Sequence, residues 1–86
     1  MKECFLCHRW TYTECHHIFG GANRKKSTKY GLTVDLCPMC HREGKKAVHK
    51  DRETMLYLRQ YGQRKMMQDN GWTIEDFRKE FGQNYL

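Results

Sequence analysis

The chain has 86 residues, enough for one domain but too few to bury a large apolar core, so we expect a metal ion or cross-link to stabilise it. Hydrophobic and charged fractions of 38% and 30% exclude a membrane-spanning or a disordered chain. The net charge of +6 favours an anionic partner, most commonly nucleic acid, although it could also serve only as a solubilising surface.

The N-terminus reaches a cysteine pair, Cys4-Phe5-Leu6-Cys7, without a preceding apolar stretch of signal-peptide length. We therefore expect a cytoplasmic protein. In a reducing compartment, cysteines in two close pairs with one left over are better explained as metal ligands than as disulfides. The fifth cysteine, Cys15, is expected to be a small buried hydrophobic residue, or else a substitute ligand in the metal site.

Two strands are predicted after this pair. Residues 11–19 are rich in β-branched and aromatic side chains and end at two glycines, which predicts a strand followed by a turn. The polar, basic segment 22–29 predicts a loop, and the alternating segment 30–36 predicts a second, half-buried strand. Pro38 then marks the start of a helix that carries His41.

Residues 50–86 contain neither cysteine nor histidine and are expected to form a helical extension that packs on a core of residues 1–49. A helix over 52–68 would place four apolar residues on one side: Met55, Leu58, Tyr61 and Met66. Gly71 gives a stop signal. Thr73 and Asp76 have capping-box spacing for a last helix, whose apolar side is Ile74, Phe77 and Phe81. We expect this side to be core; a partner-binding surface that includes Trp72 is the alternative.

A second cysteine pair, Cys37-Pro38-Met39-Cys40, matches the first in its C-x-x-C spacing. Two such units are what a tetrahedral four-cysteine zinc site requires. Zinc binding on the order of 10 kcal/mol, as in short zinc peptides, would stabilise a chain with a thin core. Four ordinary buried cysteines or a redox dithiol are the alternatives.

The spacing of the histidines relative to the second cysteine pair is a specific pattern. The run Glu14-Cys15-His16-His17-Ile18-Phe19-Gly20-Gly21, continued by Leu36-Cys37-Pro38-Met39-Cys40-His41, resembles the HNH (His-Me finger) endonuclease family, in particular its small phage and prophage members. The resemblance covers about the first half of the chain. It implies an α+β fold in which a ββα-metal motif, clamped by the four-cysteine zinc, is followed by C-terminal helices.

The resemblance also implies roles for the histidines. His17 would be the general base that deprotonates the attacking water, and His16 and His41 would bind a divalent cation such as Mg²⁺, Mn²⁺, Ni²⁺ or Zn²⁺. The cation would stabilise the scissile DNA phosphate and the departing 3′ oxygen. His49 would complete the metal site if residues 43–46 form a loop. Both His16 and His17 could instead be structural.

One departure concerns the asparagine that gives the family its middle letter. No asparagine stands in residues 30–35, before the second cysteine pair. Asn23 could replace it, or backbone contacts could hold the base instead. This absence favours the competing hypothesis, a non-catalytic zinc module that binds nucleic acid or protein.

A basic segment follows the histidine pair and is expected to contact DNA phosphates with little sequence specificity; its residues are Arg24, Lys25, Lys26 and Lys29. A merely solvated loop is the alternative. The family suggests a phage or prophage protein in a bacterial host cell, acting in phage packaging or recombination, and a weaker hypothesis is an interaction protein that binds through its terminal helix.

Overall fold

A computed structural model describes residues 1–86 as a mixed α+β fold with two small antiparallel sheets and three helices. Strand β1 (Lys2–Glu3) pairs with β2 (Trp10–Thr11), and β3 (Glu14–His17) pairs with β4 (Thr33–Leu36). The helices are α1 (Arg24–Lys29), α2 (Arg52–Asn70) and α3 (Ile74–Phe81). None of the helices combines the length and the apolar character that a membrane-spanning segment requires.

The β1–β2 ribbon carries the first cysteine pair in its turn and was not predicted from the sequence. The backbone N–H of Cys4 donates to the carbonyl of Arg9 at 2.9 Å, and that of His8 donates to the carbonyl of Cys4 at 2.9 Å. A third bond, from Phe5 N–H to the carbonyl of Asp35 at 2.8 Å, ties the turn to β4. A backbone hydrogen bond therefore connects the turn that carries the first cysteine pair to the strand that precedes the second pair.

The main hairpin, β3 and β4, is shorter than the strands predicted over 11–19 and 30–36. Its register places His16 opposite Val34 and His17 opposite Thr33. One further backbone bond, from Ile18 N–H to the carbonyl of Leu32 at 3.0 Å, extends the ladder before the chain turns away. The histidine pair therefore lies at the end of the strand, as expected.

The loop predicted over 22–29 is wrong, because this segment is a 3₁₀ turn (Gly21–Asn23) followed by α1. Tertiary contacts explain the helix. The buried hydroxyl of Ser27 accepts from the N–H of Phe19 at 2.9 Å and donates to its carbonyl at 2.7 Å. Lys26 bonds the carbonyl of Glu80, at the end of α3. A short polar helix is marginal alone, and these contacts hold it in place.

Helix formation after Pro38 is limited to one π-helical turn, Met39–Glu43, which carries His41. The chain then loops back, and the N–H of Val48 donates to the carbonyl of Cys40 at 2.8 Å while that of His49 donates to the carbonyl of His41 at 3.2 Å. This loop brings His49 back beside His41.

The two predicted C-terminal helices are present. Gly71, with a φ of 64°, ends α2 in the left-handed conformation that glycine adopts without strain. Both bonds of the capping box start α3: Asp76 N–H donates to Thr73 Oγ1 at 3.2 Å, and Thr73 N–H donates to Asp76 Oδ2 at 2.9 Å. Asp in the fourth position therefore completes the box.

The core is continuous between the hairpin and the C-terminal helices. The ring of Phe19, which follows β3, packs on Phe77, Phe81 and Tyr85 with centroid distances of 5.7, 4.8 and 5.6 Å. Phe77 and Phe81 are buried, as predicted, whereas Ile74 is exposed at the start of α3. From α2, Leu58 and Met66 are buried, and Met55, Tyr61 and Met67 pack partly buried against the same cluster.

Candidate metal centres

Four cysteines, two from each C-x-x-C unit, form the first candidate centre: Cys4, Cys7, Cys37 and Cys40. Their Sγ atoms all lie within 4.8 Å of one another, and those of Cys7 and Cys37 are 3.8 Å apart. This donor set is compatible with a structural zinc ion, whose tetrahedral sites are commonly built from four thiolates. Cys15 is exposed and lies outside this group, so the prediction of a buried Cys15 is wrong. Strand alternation turns it away from the face that buries His16.

The surroundings of Cys4 favour the thiolate that a metal requires. Burial raises the pKa of its thiol. Hydrogen bonds from the backbone N–H groups of Cys7, Cys37 and Leu6 outweigh this effect and lower the pKa to about 6. The nearest of these contacts, from Cys7 N–H to Cys4 Sγ, is 3.5 Å long. Such N–H contacts to sulfur stabilise negative charge, which a zinc-bound thiolate carries.

Three histidines form the second candidate centre, and each comes from a different part of the first half of the chain. His16 lies on β3, His41 on the π-helical turn and His49 on the loop before α2. One ring nitrogen of each lies within 4.8 Å of the others. Nε2 of His41 is 3.1 Å from Nε2 of His49. Two nitrogen ligands of one tetrahedral zinc ion lie about 3.3 Å apart, given Zn–N distances of about 2.0–2.1 Å.

His16 presents a polar atom that the protein itself does not satisfy. Its Nε2 is buried and has no hydrogen-bond partner. Burial lowers the pKa of His16 to about 4, with further contributions from the charges of His41 and His49, so this imidazole is neutral at ordinary pH. A buried, unpartnered ring nitrogen is unfavourable, whereas a neutral imidazole is a good nitrogen ligand for a divalent cation. The residues present therefore fit a cation.

A carboxylate orients the second histidine of this group. Nδ1 of His41 lies 2.7 Å from Oε1 of Glu14, and Arg42 holds the same carboxylate through Nη2 at 2.7 Å and Nε at 3.3 Å. The hydrogen bonds from His41 and Arg42 hold the pKa of Glu14 below its usual value. The carboxylate fixes the proton of His41 on Nδ1 and leaves the lone pair of Nε2 for a ligand, an arrangement frequent around metal-binding histidines.

His17, unlike His16, has a side-chain hydrogen-bond partner. Its Nε2 is 3.1 Å from Oγ1 of Thr28 on α1. That hydroxyl is also 3.4 Å from the carbonyl of Arg24, to which it donates. The contact to His17 is the shorter of the two, and its direction depends on the tautomer of the imidazole. Thr28 thus holds the orientation of His17.

Asn23, which could have replaced the asparagine missing from residues 30–35, has another role. The side-chain Nδ2 of Asn23 donates to the carbonyl of Phe81 at 2.9 Å, which ties the 3₁₀ turn to α3. It makes no hydrogen bond to His17. Of the two alternatives, Asn23 therefore does not hold His17, and the side-chain contact to His17 comes from Thr28.

The basic residues after the histidine pair divide into two groups. Arg24, Lys25 and Lys29 are exposed on α1, and none forms an ion pair. Lys26 instead pairs with Glu80 at 3.5 Å and lies 5.8 Å from the centroid of the Phe81 ring, so its charge is used within the fold. Three of the four basic residues predicted to contact DNA therefore have no ion pair within the protein.

Three residues of the site were not predicted from the sequence: Glu14, Arg42 and Thr28. A signal existed for Glu14, because it lies two residues before His16 on a strand and so shares its face. No comparable signal existed for Thr28, since its helix was predicted to be a loop. The predicted site residues His16, His41 and His49 are brought together. His17 follows His16 in the chain and contacts Thr28 instead.

Comparison of this chain with protein-family models, with curated proteins and with solved structures found no match.

Proposed function

We propose that this protein is a metal-dependent endonuclease of the HNH type, which hydrolyses phosphodiester bonds of DNA. The observation that carries the proposal is the three-histidine cluster of His16, His41 and His49, whose ring nitrogens lie within 4.8 Å of one another. It is separate from the four cysteines, which already suffice for one zinc ion. Three nitrogen donors hold a cation while leaving a coordination position open, which is typical of catalytic rather than structural sites.

In this proposal the three histidines hold a divalent cation such as Mg²⁺, Mn²⁺, Ni²⁺ or Zn²⁺. When bound, the cation stabilises negative charge on the scissile phosphate and on the departing 3′ oxygen. Glu14 keeps His41 in the tautomer that binds metal, since it accepts the Nδ1 proton at 2.7 Å. The three ligands come from β3, from the π-helical turn and from the loop after it. This origin supports the ββα-metal arrangement expected from the sequence.

His17 is the general base. Its Nδ1 takes a proton from a water molecule as the water oxygen forms a bond to phosphorus. The bond from phosphorus to the 3′ oxygen breaks, and that oxygen leaves as a 3′-hydroxyl after gaining a proton from solvent. The downstream product carries the phosphate at its 5′ end. Thr28 lies 3.1 Å from Nε2 of His17. In the proposal it accepts the Nε2 proton, so that the lone pair of Nδ1 faces the water.

DNA binding in this proposal relies on backbone phosphates. Arg24, Lys25 and Lys29 are exposed on α1, the same short helix that carries Thr28. Cations at this position attract a strand toward His17 without reading its sequence. Binding should therefore weaken steeply as salt concentration rises.

Supercoiled plasmid DNA tests the proposal directly. The zinc-loaded protein, incubated with Mg²⁺, Mn²⁺, Ni²⁺ or Zn²⁺, should convert it to nicked or linear forms, and His17→Ala should not. His8→Asn is the matched control, because His8 is an exposed histidine bonded only to Glu3, and asparagine tolerates its positive φ of 64°. Intact plasmid with every cation, in protein that does bind metal at the histidines, would favour a non-catalytic zinc module.

A further inference from the structure

A cleft lies between the start of α2 and the C-terminal segment, and one wall of it is His49. Its volume is about 420 Å³, and Arg59 of α2 and Tyr85 of the C-terminal segment line it together with His49. Sites for small ligands commonly occupy about 300–1,000 Å³. The cleft therefore has room for a nucleotide-sized group in contact with the three-histidine cluster.

Arg59 is a cation without an anion. Its Nε is buried and has no hydrogen-bond partner, and its guanidinium forms no ion pair; it lies 5.5 Å from the centroid of the Tyr85 ring. A guanidinium carries five N–H donors in a planar arrangement that suits two oxygens of one phosphate. The Tyr85 ring attracts the guanidinium as a cation–π contact, without accepting a hydrogen bond from these donors. Arg59 is thus positioned but unsatisfied.

The other charged groups of the cleft do not neutralise Arg59. Asp51 is engaged as the N-cap of α2, with its carboxylate accepting from Thr54 N–H at 3.1 Å and from the Thr54 hydroxyl at 2.7 Å. Glu53 forms no ion pair, and Lys50 and Arg52 add positive charge to the same lining. The cleft is therefore cationic on balance and suited to an anion.

Apart from Gln83, the remaining lining residues are apolar. Val48, Met55 and Leu56 form a wall beside the charged groups. A sugar ring next to a phosphate would bury apolar surface against this wall, whereas a free inorganic anion would gain nothing from it. Cation and wall together favour a phosphate that is part of a nucleic acid strand.

We propose that this cleft is a phosphate subsite, in which Arg59 binds one phosphodiester of a nucleic acid strand next to the three-histidine cluster. The inference rests on the proposed function, and it adds the place where the DNA strand lies next to the scissile phosphate. Arg59 binds and positions the strand; it is not assigned a part in proton transfer.

NMR of the zinc-loaded protein tests the subsite without any cleavage step. The Nε–Hε resonance of Arg59 should shift when a four-nucleotide oligothymidylate is added in the absence of a second cation, and inorganic phosphate at equal concentration should shift it less. No shift with the oligothymidylate would overturn the proposal. A shift with inorganic phosphate that equals or exceeds it would also do so, because the site would then bind a free anion.

Variants give a second measurement on the same probe. Arg59→Gln should weaken oligothymidylate binding roughly ten- to hundredfold, as expected for lost hydrogen bonds to a charged group, and Arg59→Lys should recover part of it. Arg64→Gln is the matched control, because Arg64 is exposed on the same helix and does not line the cleft. Equal binding by Arg59→Gln and the parent would contradict the subsite.

Failure of the subsite and failure of the proposed function give different results. If the parent leaves plasmid intact while Arg59→Gln loses oligothymidylate binding, the subsite stands and the nuclease proposal fails. If the parent cleaves plasmid and Arg59→Gln binds and cleaves as the parent does, the nuclease proposal stands and the subsite fails.

Discussion

Cys40 and His41 are neighbours in the chain, yet they belong to different candidate metal centres. The thiol of Cys40 lies with the other three cysteines, and the imidazole of His41 lies with His16 and His49. One π-helical turn carries both residues. The histidine cluster therefore depends on the same backbone that the cysteines would hold in place, and loss of zinc from the first centre should also disrupt the second.

Cys37→Ser should release the zinc and unfold the domain. Zinc binding on the order of 10 kcal/mol exceeds the stability that a core of this size supplies. Metal analysis of the purified parent should find about one tightly held zinc, and circular dichroism should report helix loss in the variant. Cys15→Ser is the control: Cys15 is exposed and outside both centres, so zinc and helix content should remain. A folded, zinc-free Cys37→Ser protein would argue against the structural role.

Glu14→Ala should weaken cation binding by the three histidines about ten- to hundredfold, the usual effect of losing a carboxylate that orients a metal-binding histidine. The reason is the 2.7 Å contact to Nδ1 of His41, which fixes its tautomer. Calorimetric titration of zinc-loaded protein with Ni²⁺ measures the change. Glu3→Ala removes a comparable contact, to the exposed His8, and should leave Ni²⁺ affinity as it is. Equal losses in both variants would remove the specific role of Glu14.

Thr28→Val should reduce plasmid cleavage about ten- to hundredfold with little change in Ni²⁺ affinity, because the hydroxyl that contacts Nε2 of His17 is lost while the metal ligands remain. Thr28→Ser keeps the hydroxyl and should restore most of the rate. The comparison needs cleavage rates over a range of pH, since an unfixed imidazole should also change the pH profile. Unchanged rates and profile in Thr28→Val would mean that Thr28 does not position the base.

Gly62→Ala should destabilise the protein although alanine favours helices. A Cβ at this position would lie 2.9 Å from Cε2 of Phe19 and 3.0 Å from Cγ2 of Ile18, both buried. Overpacking of about 1–3 kcal/mol exceeds the helix-propensity gain of about 1 kcal/mol. Thermal unfolding should show a lower Tm than in the parent. Gly20→Ala has nothing within 4 Å of its new Cβ and serves as the control. A higher Tm in Gly62→Ala would show that α2 can move away from Phe19.

The sequence predicted the parts of the molecule whose signals are local. The paired C-x-x-C units, α2 with its stop at Gly71, and the capping box of α3 depend on neighbouring residues, and all are present. The histidine pattern also indicated that His16 and His41 would meet. The helices and the capping box depend on spacing along the chain alone, whereas the meeting of the cysteine pairs and of the histidines was predicted from the repeated C-x-x-C motif and from the family resemblance.

The parts that were missed depend on distant contacts. Helix α1 is polar, and its stability comes from Ser27 bonding the backbone of Phe19 and from Lys26 bonding Glu80. Neither contact has a sequence signal, so a loop was predicted. The role of Thr28 was lost with that helix, and the exposure of Cys15 follows from strand register, which the sequence leaves open by one residue.

Metal titration combined with cleavage tests the central claim most directly. Zinc-loaded protein is titrated with Ni²⁺, and the plasmid cleavage rate is measured at each point. We predict one further equivalent of Ni²⁺, a rate that rises in proportion to its occupancy, and at least tenfold weaker binding in His49→Ala, whose exposed side chain can be removed without opening the core. The account would be contradicted if zinc-loaded protein bound no Ni²⁺, or if Ni²⁺ fully occupied its site and the plasmid stayed intact.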